Sequence, residues 1–229
     1  MPRPGRRGVL TMKIGIIGAG QIGGTLTRRL SALGHEVRVA NSRDPQTLAE
    51  LAAQSGATAV WAADAAEDAD VVIISIPQKN VPNLPAGILK GAKPGAPVIE
   101  TNNYYPRQRD GRIEAIEAGT PESVWVAEQV GSPVIKVFNG IFWKHLLEHG
   151  RPKGEGRIAL PVAGADGPGK ELVFDLVDQL GFDPVDGGTL QQSWRQQPGT
   201  PVYGADLDVA GTTAALAAAS QVRPEDFRA

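Results

Sequence analysis

Short apolar runs alternate with segments of helical periodicity along the chain. Strands are expected at residues 12–17, 36–40, 58–61, 70–77, 98–101, 134–138, 157–163 and 182–186. Helices are expected at residues 21–33, 44–55, 62–68, 86–89, 121–130, 142–149, 166–180 and 189–197, with a weak helix or a frayed tail at 211–220. This alternation is typical of parallel strands joined by crossover helices. It predicts an α/β fold: a Rossmann doubly wound parallel sheet with a small C-terminal α/β extension.

Residues 70–77 are the most apolar stretch of the chain. A run that is apolar on both faces is typical of a central parallel strand. Ligands of open α/β sheets bind beyond the carboxyl ends of the strands. We therefore expect one crevice, lined by residues that follow three of the strands: Ser75, Ile76, Pro77, Asn102 and Asn139.

The glycines of Gly18-x-Gly20-x-x-Gly23 stand between the first strand and the first helix. The first glycine allows a tight turn, the second removes the Cβ that would hold a pyrophosphate away, and the third lets helix and strand pack closely. The helix that begins near Gln21 directs its free N–H groups at the phosphates. The pattern predicts a dinucleotide-binding loop; the alternative is a glycine-rich turn without a ligand.

The residues after the second strand indicate which dinucleotide is bound. An Asp or Glu about 20 residues beyond the glycines usually holds the ribose of NAD(H), but this chain has Asn41, Ser42 and Arg43 there. A hydroxyl and a guanidinium bind a phosphate dianion through charge-assisted hydrogen bonds. The sequence therefore favours NADP(H), with an ordinary exposed loop arginine as the alternative.

Composition excludes several classes of function. The chain has 229 residues, no cysteine and a formal net charge of −2. The lack of cysteine excludes disulfides, thiolate catalysis and cysteine zinc sites. The charge gives no reason to expect nucleic acid or an anionic membrane as a partner, and no apolar run reaches the roughly 18 residues of a membrane helix. We expect a cytoplasmic protein with a small-molecule redox substrate.

The domain organisation follows from composition along the chain. Residues 1–11 place arginines between Pro and Gly and lack the apolar centre of a secretory signal, so we expect a disordered extension. Residues 12–149 are expected to form the NADP-binding Rossmann domain. A linker-like stretch at 151–156 predicts that residues 150–229 form a small portion that serves the substrate side and dimerisation.

The segment His145-Leu-Leu-Glu-His149 matches the H-x-x-E-H pattern of inverted zinc peptidases. A zinc site also needs a third protein ligand and an open position for water, and here the helix is barely two turns and ends at Gly150. We therefore expect no metal site, but a short surface helix that packs Phe142, Leu146 and Leu147 inward.

The expected crevice carries amides, hydroxyls and tyrosines, but no evident general base. Reduction of a ketone usually requires a positioned proton donor, whereas hydride transfer to a second flat redox cofactor requires chiefly stacking and alignment. This inventory favours a redox cofactor as the second substrate and predicts no catalytic side chain.

Five segments together resemble a known family: Gly18–Gly23, Asn41–Arg43, Asp70–Pro77, Thr101–Asn103 and Val137–Asn139. The family is that of the NADP oxidoreductases dependent on coenzyme F-420, a deazaflavin, and the resemblance covers roughly residues 12–186. It implies a homodimer that exchanges hydride reversibly between NADP(H) and the deazaflavin without a covalent intermediate. It also implies contacts to the pyrophosphate from Gly18, Gly20, Gln21, Ile22 and Gly23, to the 2′-phosphate from Ser42 and Arg43, and to the nicotinamide side from Pro77 and Asn139.

The chain departs from the family's pattern at residues 102–106 and 193–203. Both segments would border the second substrate, so they put the identity of the acceptor in doubt. Two alternatives stay open, because one fold serves many functions. The first is an NADPH-dependent reductase of another acceptor, such as a flavin, quinone or imine. The second is a non-catalytic NADP-binding redox sensor.

Overall fold

Eight strands form one sheet in the computed structural model, which describes residues 10–229. The strands are β1 Lys13–Ile17, β2 Glu36–Ala40, β3 Thr58–Ala59, β4 Val71–Ile74, β5 Val98–Glu100, β6 Ile135–Lys136, β7 Ala159–Ala163 and β8 Asp183–Gly188. Their order across the sheet is β3-β2-β1-β4-β5-β6-β7-β8. Strands β1 to β6 are parallel, β7 is antiparallel to β6, and β8 is parallel to β7. The first six strands follow the Rossmann order, which confirms the predicted fold.

The helices connect these strands in the manner expected of an α/β protein. The α-helices are α1 Gln21–Ala32, α2 Ala49–Ser55, α3 Glu114–Glu117, α4 Glu122–Val130, α5 Trp143–Glu148, α6 Pro168–Gln179 and α7 Val209–Ala218. Shorter 3₁₀ helices lie at Pro45–Leu48, Ala62–Asp64, Gln78–Asn83, Leu190–Gln196 and Glu225–Phe227, and a π-helical turn lies at Pro106–Asp110.

Strand β4 is the central strand that the sequence predicts, and all four of its residues are fully buried. Val71 and Ile73 belong to the core cluster that includes α1 and α6, whereas Val72 and Ile74 belong to the cluster that includes α4. Each buried aliphatic side chain contributes about 1.5–3 kcal/mol. The two faces of β4 therefore contribute to the two hydrophobic cores, one on each side of the sheet.

The C-terminal unit β7-α6-β8 extends the sheet rather than forming a second lobe. Lys136 of β6 pairs with Ala163 of β7. Gly167 is the N-cap of α6, so this helix begins two residues later than the sequence predicts. Asp166 pairs with Lys170. One sheet thus contains strands from both sides of residue 150. The division of the chain into two domains at this residue stays a prediction.

The helix expected at residues 62–68 is wrong. Only Ala62–Asp64 forms a 3₁₀ turn, and Asp68 has a left-handed φ of 55°. Ala65 is fully buried against β1, where a Cβ on Gly15 would overlap the Ala65 carbonyl oxygen. This close packing, rather than the helix propensity of alanine, sets the path of the backbone.

The segment around residues 78–119 also differs from expectation. Residues 86–89 form turns, with Gly87 at a φ of 74°, instead of a helix. The 3₁₀ helix Gln78–Asn83 is not predicted by the sequence, since Pro82 lies within it. Residues 107–119, for which the sequence predicts neither helix nor strand, contain α3 and most of the π-helical turn. The turn is held by the buried Asp110 carboxylate, which accepts a hydrogen bond from the Tyr105 N–H at 2.8 Å.

Two side chains face the opposite way from expectation. A charged residue in the helix expected at 121–130 is predicted to point outward, but Glu122 is fully buried, because its carboxylate accepts hydrogen bonds from the Tyr104 N–H (3.1 Å) and from Arg223 Nη2 (2.7 Å). Phe142 is 50% exposed instead of packing inward, whereas Leu146 of the same segment is buried as predicted.

Within the described residues, no helix combines the length and the apolar character that crossing a membrane requires. The N-terminal extension predicted at residues 1–11 lies outside the described residues as far as residue 9.

Candidate dinucleotide-binding cleft

The three glycines of the loop after β1 differ in what surrounds them. Gly18 has a φ of 110°, and a Cβ there would overlap the Ser75 carbonyl oxygen. A Cβ on Gly23 would overlap the Gly18 carbonyl oxygen, whereas a Cβ on Gly20 would meet no heavy atom within 4 Å. The protein's own packing thus requires glycine at the first and third positions. At the second position, the space that a side chain would fill is open to a ligand.

Helix α1 begins directly after this open position. Its N-cap, Gly20, has no side chain to accept a hydrogen bond from the first turn. The first N–H groups of a helix have no intrahelical partner, and together with the positive end of the helix dipole they form an anion site. Gln21 and Ile22, both predicted to contact the pyrophosphate, line the cleft at this point.

A cleft of about 500 Å³ opens at the carboxyl ends of the strands. Of the predicted site residues, it is lined by Gly20, Gln21, Ile22, Ser75, Ile76, Pro77, Asn102 and Asn139; its other lining residues include Thr101, Asn103, Tyr105, Arg109, Phe142, Trp143 and Tyr203. Gly18 and Gly23 shape the loop beneath it. Asn41, Ser42 and Arg43 lie outside the lining, after the end of β2.

The segment after β2 holds an arginine whose guanidinium has no partner among residues 10–229. The side chain of Asn41 fixes the turn, because its Oδ1 accepts a hydrogen bond from the Arg43 N–H at 2.8 Å and its Nδ2 donates to Thr47 Oγ1 at 2.9 Å. Ser42 and Arg43 are exposed. The Arg43 guanidinium makes no hydrogen bond or ion pair with residues 10–229. It is therefore available to an anionic ligand.

Asn102 provides a second open hydrogen-bonding position. Its Oδ1 accepts from the Ile76 N–H at 3.1 Å, and its own N–H donates to Glu100 Oε2 at 2.8 Å. Its Nδ2 is buried and has no partner among the described residues. Buried polar groups are nearly always hydrogen-bonded, so this donor fits the acceptor of a ligand bound in the cleft.

A buried ion pair supports the Asn102 segment from below. Glu100 and Lys136 are register partners on β5 and β6, both fully buried, with Lys136 Nζ 2.9 Å from Glu100 Oε1. Lys136 also donates to the Asn102 carbonyl oxygen at 2.9 Å, and Ser123 Oγ donates to Glu100. Breaking a buried pair by removing one partner typically costs about 3–5 kcal/mol. Sequence reasoning missed this pair, although two opposite charges at the ends of apolar strands were a visible signal.

Two tyrosines meet over the cleft. The Tyr105 hydroxyl is hydrogen-bonded to the Tyr203 hydroxyl, which also accepts from Asn103 Nδ2 at 3.3 Å. Burial, followed by the bond to Tyr105, raises the pKa of Tyr203 far above its usual value. Tyr203 therefore stays protonated, and its hydroxyl can donate a hydrogen bond. Because these residues belong to the two segments that depart from the family's pattern, the departures form one cluster.

Asn139 lines the cleft, but its amide is occupied by the protein. Its Nδ2 donates to Asn103 Oδ1 at 3.1 Å and to the Gln196 carbonyl oxygen at 2.7 Å, and its Oδ1 accepts from Gln196 Nε2 at 3.1 Å. Phe138, just before it, has a left-handed φ of 64°. The side chain of Asn139 thus ties the end of β6 to the segment 190–196, and the predicted nicotinamide contact stays a prediction.

Comparisons with known proteins agree with this architecture. Residues 13–104 match the family described as NADP oxidoreductase coenzyme F420-dependent. Over 67 residues the chain is 45% identical to the protein YjhV of Escherichia coli strain K12, a match that covers 28% of this chain and 49% of YjhV. The match thus spans about half the length of that curated relative.

Solved structures extend the likeness to most of the chain. A hypothetical protein from Sinorhizobium meliloti is 31% identical, with a TM-score of 0.73, and the match covers 86% of this chain and 95% of that one. A candidate F420-dependent NADP reductase from Arthrobacter sp. FB24 is 21% identical, with a TM-score of 0.66, covering 80% and 87%.

A 3-hydroxyisobutyrate dehydrogenase from Mycobacterium tuberculosis, solved with L-serine, is 19% identical, with a TM-score of 0.58, covering 80% of this chain and 57% of that one. At such identities the likeness to it and to the Arthrobacter protein shows the fold alone. The family match rests instead on the segment from β1 to the loop after β5, which carries the glycine loop, Arg43 and Asn102. Residues 13–104 thus match the coenzyme F420-dependent NADP oxidoreductase family, and NADP-linked oxidoreduction is the chemistry that this match supports.

Proposed function

We propose that this chain transfers hydride between NADP(H) and a deazaflavin coenzyme of the F420 type. The observation that carries the proposal is the cleft itself. It joins a helix N-terminus with an open glycine position to a space of about 500 Å³, within the size range of pockets that hold a ligand. The family match supports NADP as one of the two substrates.

Each part of NADP(H) has a fitting partner in the chain. The N–H groups at the start of α1 bind the pyrophosphate beside Gly20. Ser42 and Arg43 bind the 2′-phosphate, because the guanidinium is exposed and free of protein partners within residues 10–229. Ile76 and Pro77 flank the nicotinamide, and Asn102 Nδ2 donates to it. When bound, NADPH supplies the hydride, while the protein aligns the acceptor and excludes water.

A second candidate function is reduction of a carbonyl or imine carbon. The specific observation that favours it is the Tyr105–Tyr203 pair, since its two linked hydroxyls at the cleft can hydrogen-bond a reacting carbonyl or imine and pass it a proton. A deazaflavin depends less on a protein proton donor, because the ring carries its own redox chemistry. The two candidate functions therefore predict different losses of kcat when the Tyr203 hydroxyl is removed.

A panel of acceptors separates these candidates. The purified chain is mixed with NADPH and, in turn, a deazaflavin coenzyme, a flavin, a quinone and a cyclic imine, and the loss of NADPH absorbance is followed. We expect the fastest turnover with the deazaflavin. Turnover with another acceptor and none with the deazaflavin would overturn the proposal in favour of a different reductase. Tight NADPH binding without turnover on any acceptor would favour a redox sensor.

Replacing Tyr203 by phenylalanine provides a sharper distinction. If the deazaflavin is the acceptor, Tyr203→Phe should lower kcat by less than about tenfold. If a carbonyl or imine is reduced, loss of the proton donor should lower kcat by roughly 10²–10⁴-fold. Tyr104→Phe is the control, because the Tyr104 hydroxyl bonds to Glu117 away from the cleft.

We also propose that the chain forms a homodimer, as the family resemblance implies. Light scattering coupled to gel filtration should give twice the mass of 24.1 kDa. A monomeric mass across the micromolar range would contradict this part of the proposal.

A further inference from the structure

Three metal-ligating side chains meet at the rim of the cleft, outside the residues that line it. His145 lies on α5, His149 is the C-cap of that helix, and Asp206 comes from the loop before α7. One ligand atom of each residue lies within 4.8 Å of the ligand atoms of the other two. The fold thus supplies the third ligand that the sequence pattern lacked.

The two imidazole rings are stacked face to face. Their centroids are 4.4 Å apart, and their planes are 8° from parallel. His145 Nδ1 lies 2.5 Å from Asp206 Oδ2, yet this nitrogen is buried and makes no hydrogen bond within the described residues. A hydrogen bond requires an aligned N–H as well as a short distance. The nitrogen is therefore close to a carboxylate without being satisfied by it.

The backbone on both sides of Asp206 is fixed. The Gly204 N–H donates to the Gly140 carbonyl oxygen at 2.9 Å, and the Ala159 N–H donates to the Leu207 carbonyl oxygen at 2.8 Å. The fold thus fixes the backbone that carries the Asp206 carboxylate, independently of the contact with His145. Ligands held in place before binding lose less entropy when the ion arrives.

We propose that His145, His149 and Asp206 bind a divalent transition-metal ion of the zinc type. Two imidazoles and one carboxylate suit Zn²⁺ and its borderline neighbours, whereas Mg²⁺ and Ca²⁺ prefer oxygen ligands alone. With Zn–N distances of about 2.0–2.1 Å, the ligand atoms of a tetrahedral site lie roughly 3.3–3.4 Å apart. Small side-chain rotations bring the present atoms to that spacing, and water occupies the fourth position.

The ion connects two segments that border the cleft. Phe142 and Trp143, at the start of α5, line the cleft, and so does Tyr203 from the loop that carries Asp206. A metal bound by both segments holds the Tyr203 loop against α5. The role is one of ordering the rim of the cleft, and the inference does not depend on which acceptor takes the hydride.

Calorimetric titration of the metal-free, full-length chain with Zn²⁺ near neutral pH tests the proposal. We expect one Zn²⁺ per chain and no displacement by excess Mg²⁺. Asp206→Asn and His149→Asn should each weaken Zn²⁺ binding by more than about 100-fold. Mutating a residue that only hydrogen-bonds to a metal ligand usually costs less than this. Glu148→Gln is the matched control: it removes a carboxylate from the same helix that is not among the ligands, so binding should not change.

Two results would overturn the site. One is the absence of saturable Zn²⁺ binding to the wild-type chain. The other is a loss of binding in Glu148→Gln as large as in Asp206→Asn, with circular dichroism confirming that both variants are folded. Amide hydrogen exchange gives an independent readout: Zn²⁺ should slow exchange at residues 204–208 in the wild-type chain but not in Asp206→Asn. Stoichiometric binding with unchanged exchange at these residues would place the ion elsewhere. It would refute the proposal that the metal holds the Tyr203 loop against α5.

Discussion

At the scale of single residues, the proposed preference for NADP over NAD depends on Arg43. Its guanidinium is exposed and, within residues 10–229, makes no hydrogen bond or ion pair, while Asn41 fixes the turn that presents it. An unpaired arginine beside a nucleotide cleft can bind a phosphate in bidentate fashion. The absence of a carboxylate at residues 41–43 also removes the group that would repel the 2′-phosphate.

Arg43→Ala should weaken NADPH binding by about 1.5–3 kcal/mol, the worth of hydrogen bonds to a charged group, and leave NADH binding nearly unchanged. Fluorescence titration with both nucleotides measures the difference. Arg38→Ala is the matched control, because Arg38 lies on β2 but is paired with Glu67 at 3.4 Å. Equal losses for NADPH and NADH in Arg43→Ala would remove this residue from the 2′-phosphate site.

At the scale of elements, the β1-α1-β2 unit positions the part of the site that is proposed to bind the phosphates. Gly18 turns the chain away from β1, Gly23 lets α1 approach the sheet, and Gly20 leaves space for a ligand. The same residue type thus has two different roles in one loop. Substitution at Gly20 and at Gly23 should therefore have separable effects.

Gly20→Ala should leave the chain folded, costing at most about 1 kcal/mol because only a helix N-cap changes, yet weaken NADPH binding more than about tenfold. Gly23→Ala should lower the free energy of unfolding by about 1–3 kcal/mol or more, since its Cβ would overlap the Gly18 carbonyl oxygen. Urea unfolding and NADPH titration of both variants test this. A Gly20→Ala variant that binds NADPH as tightly as the wild-type chain would show that no phosphate approaches the loop here.

The sequence predicts this unit well because its signals are local. The bounds of β2, for example, are predicted to the residue. Residues 62–68 are mispredicted because alanine propensity carries no information about packing against Gly15. Glu122 is mispredicted because its partners, Tyr104 and Arg223, are distant in the chain.

The candidate site also contains parts that the sequence predicts and parts that it does not. The proposed phosphate-binding part is predictable because its residues are adjacent in sequence. The Tyr105–Tyr203 pair joins residues 98 positions apart, and Asp206 reaches His145 from another element. Only the fold of the complete chain brings such groups together.

At the scale of the whole molecule, the C-terminal unit is tied to the nucleotide-binding half. Arg29 of α1 donates to the Leu147 carbonyl oxygen at 2.8 Å and to the Leu180 carbonyl oxygen at 2.5 Å. His35 accepts from the Met12 N–H through Nδ1 at 3.2 Å, and its Nε2 lies 3.0 Å from Gln179 Oε1 of α6. These contacts suit a neutral imidazole, because the Nδ1 that accepts must carry no proton.

Burial lowers the pKa of His35 below its usual value of 6.5, although the bond to Gln179 acts in the opposite direction. The unfolded chain therefore binds a proton more readily at this residue, so its contribution to the free energy of unfolding is complete above pH 6.5 and falls as the pH drops below it. His35→Gln should lose less stability than the wild-type chain over the same acidification. Urea midpoints at neutral and mildly acidic pH measure this; identical pH dependence in both chains would contradict it.

The central claim is that NADP lies across the carboxyl ends of the parallel strands, with its pyrophosphate at α1 and its 2′-phosphate at Arg43. Calorimetric titration of the purified chain with NADPH and with NADH tests it most directly. We predict saturable binding of one NADPH per chain, at least about tenfold tighter than NADH, as one or two charged hydrogen bonds imply. No heat of binding with either nucleotide, or tighter binding of NADH, would contradict the account.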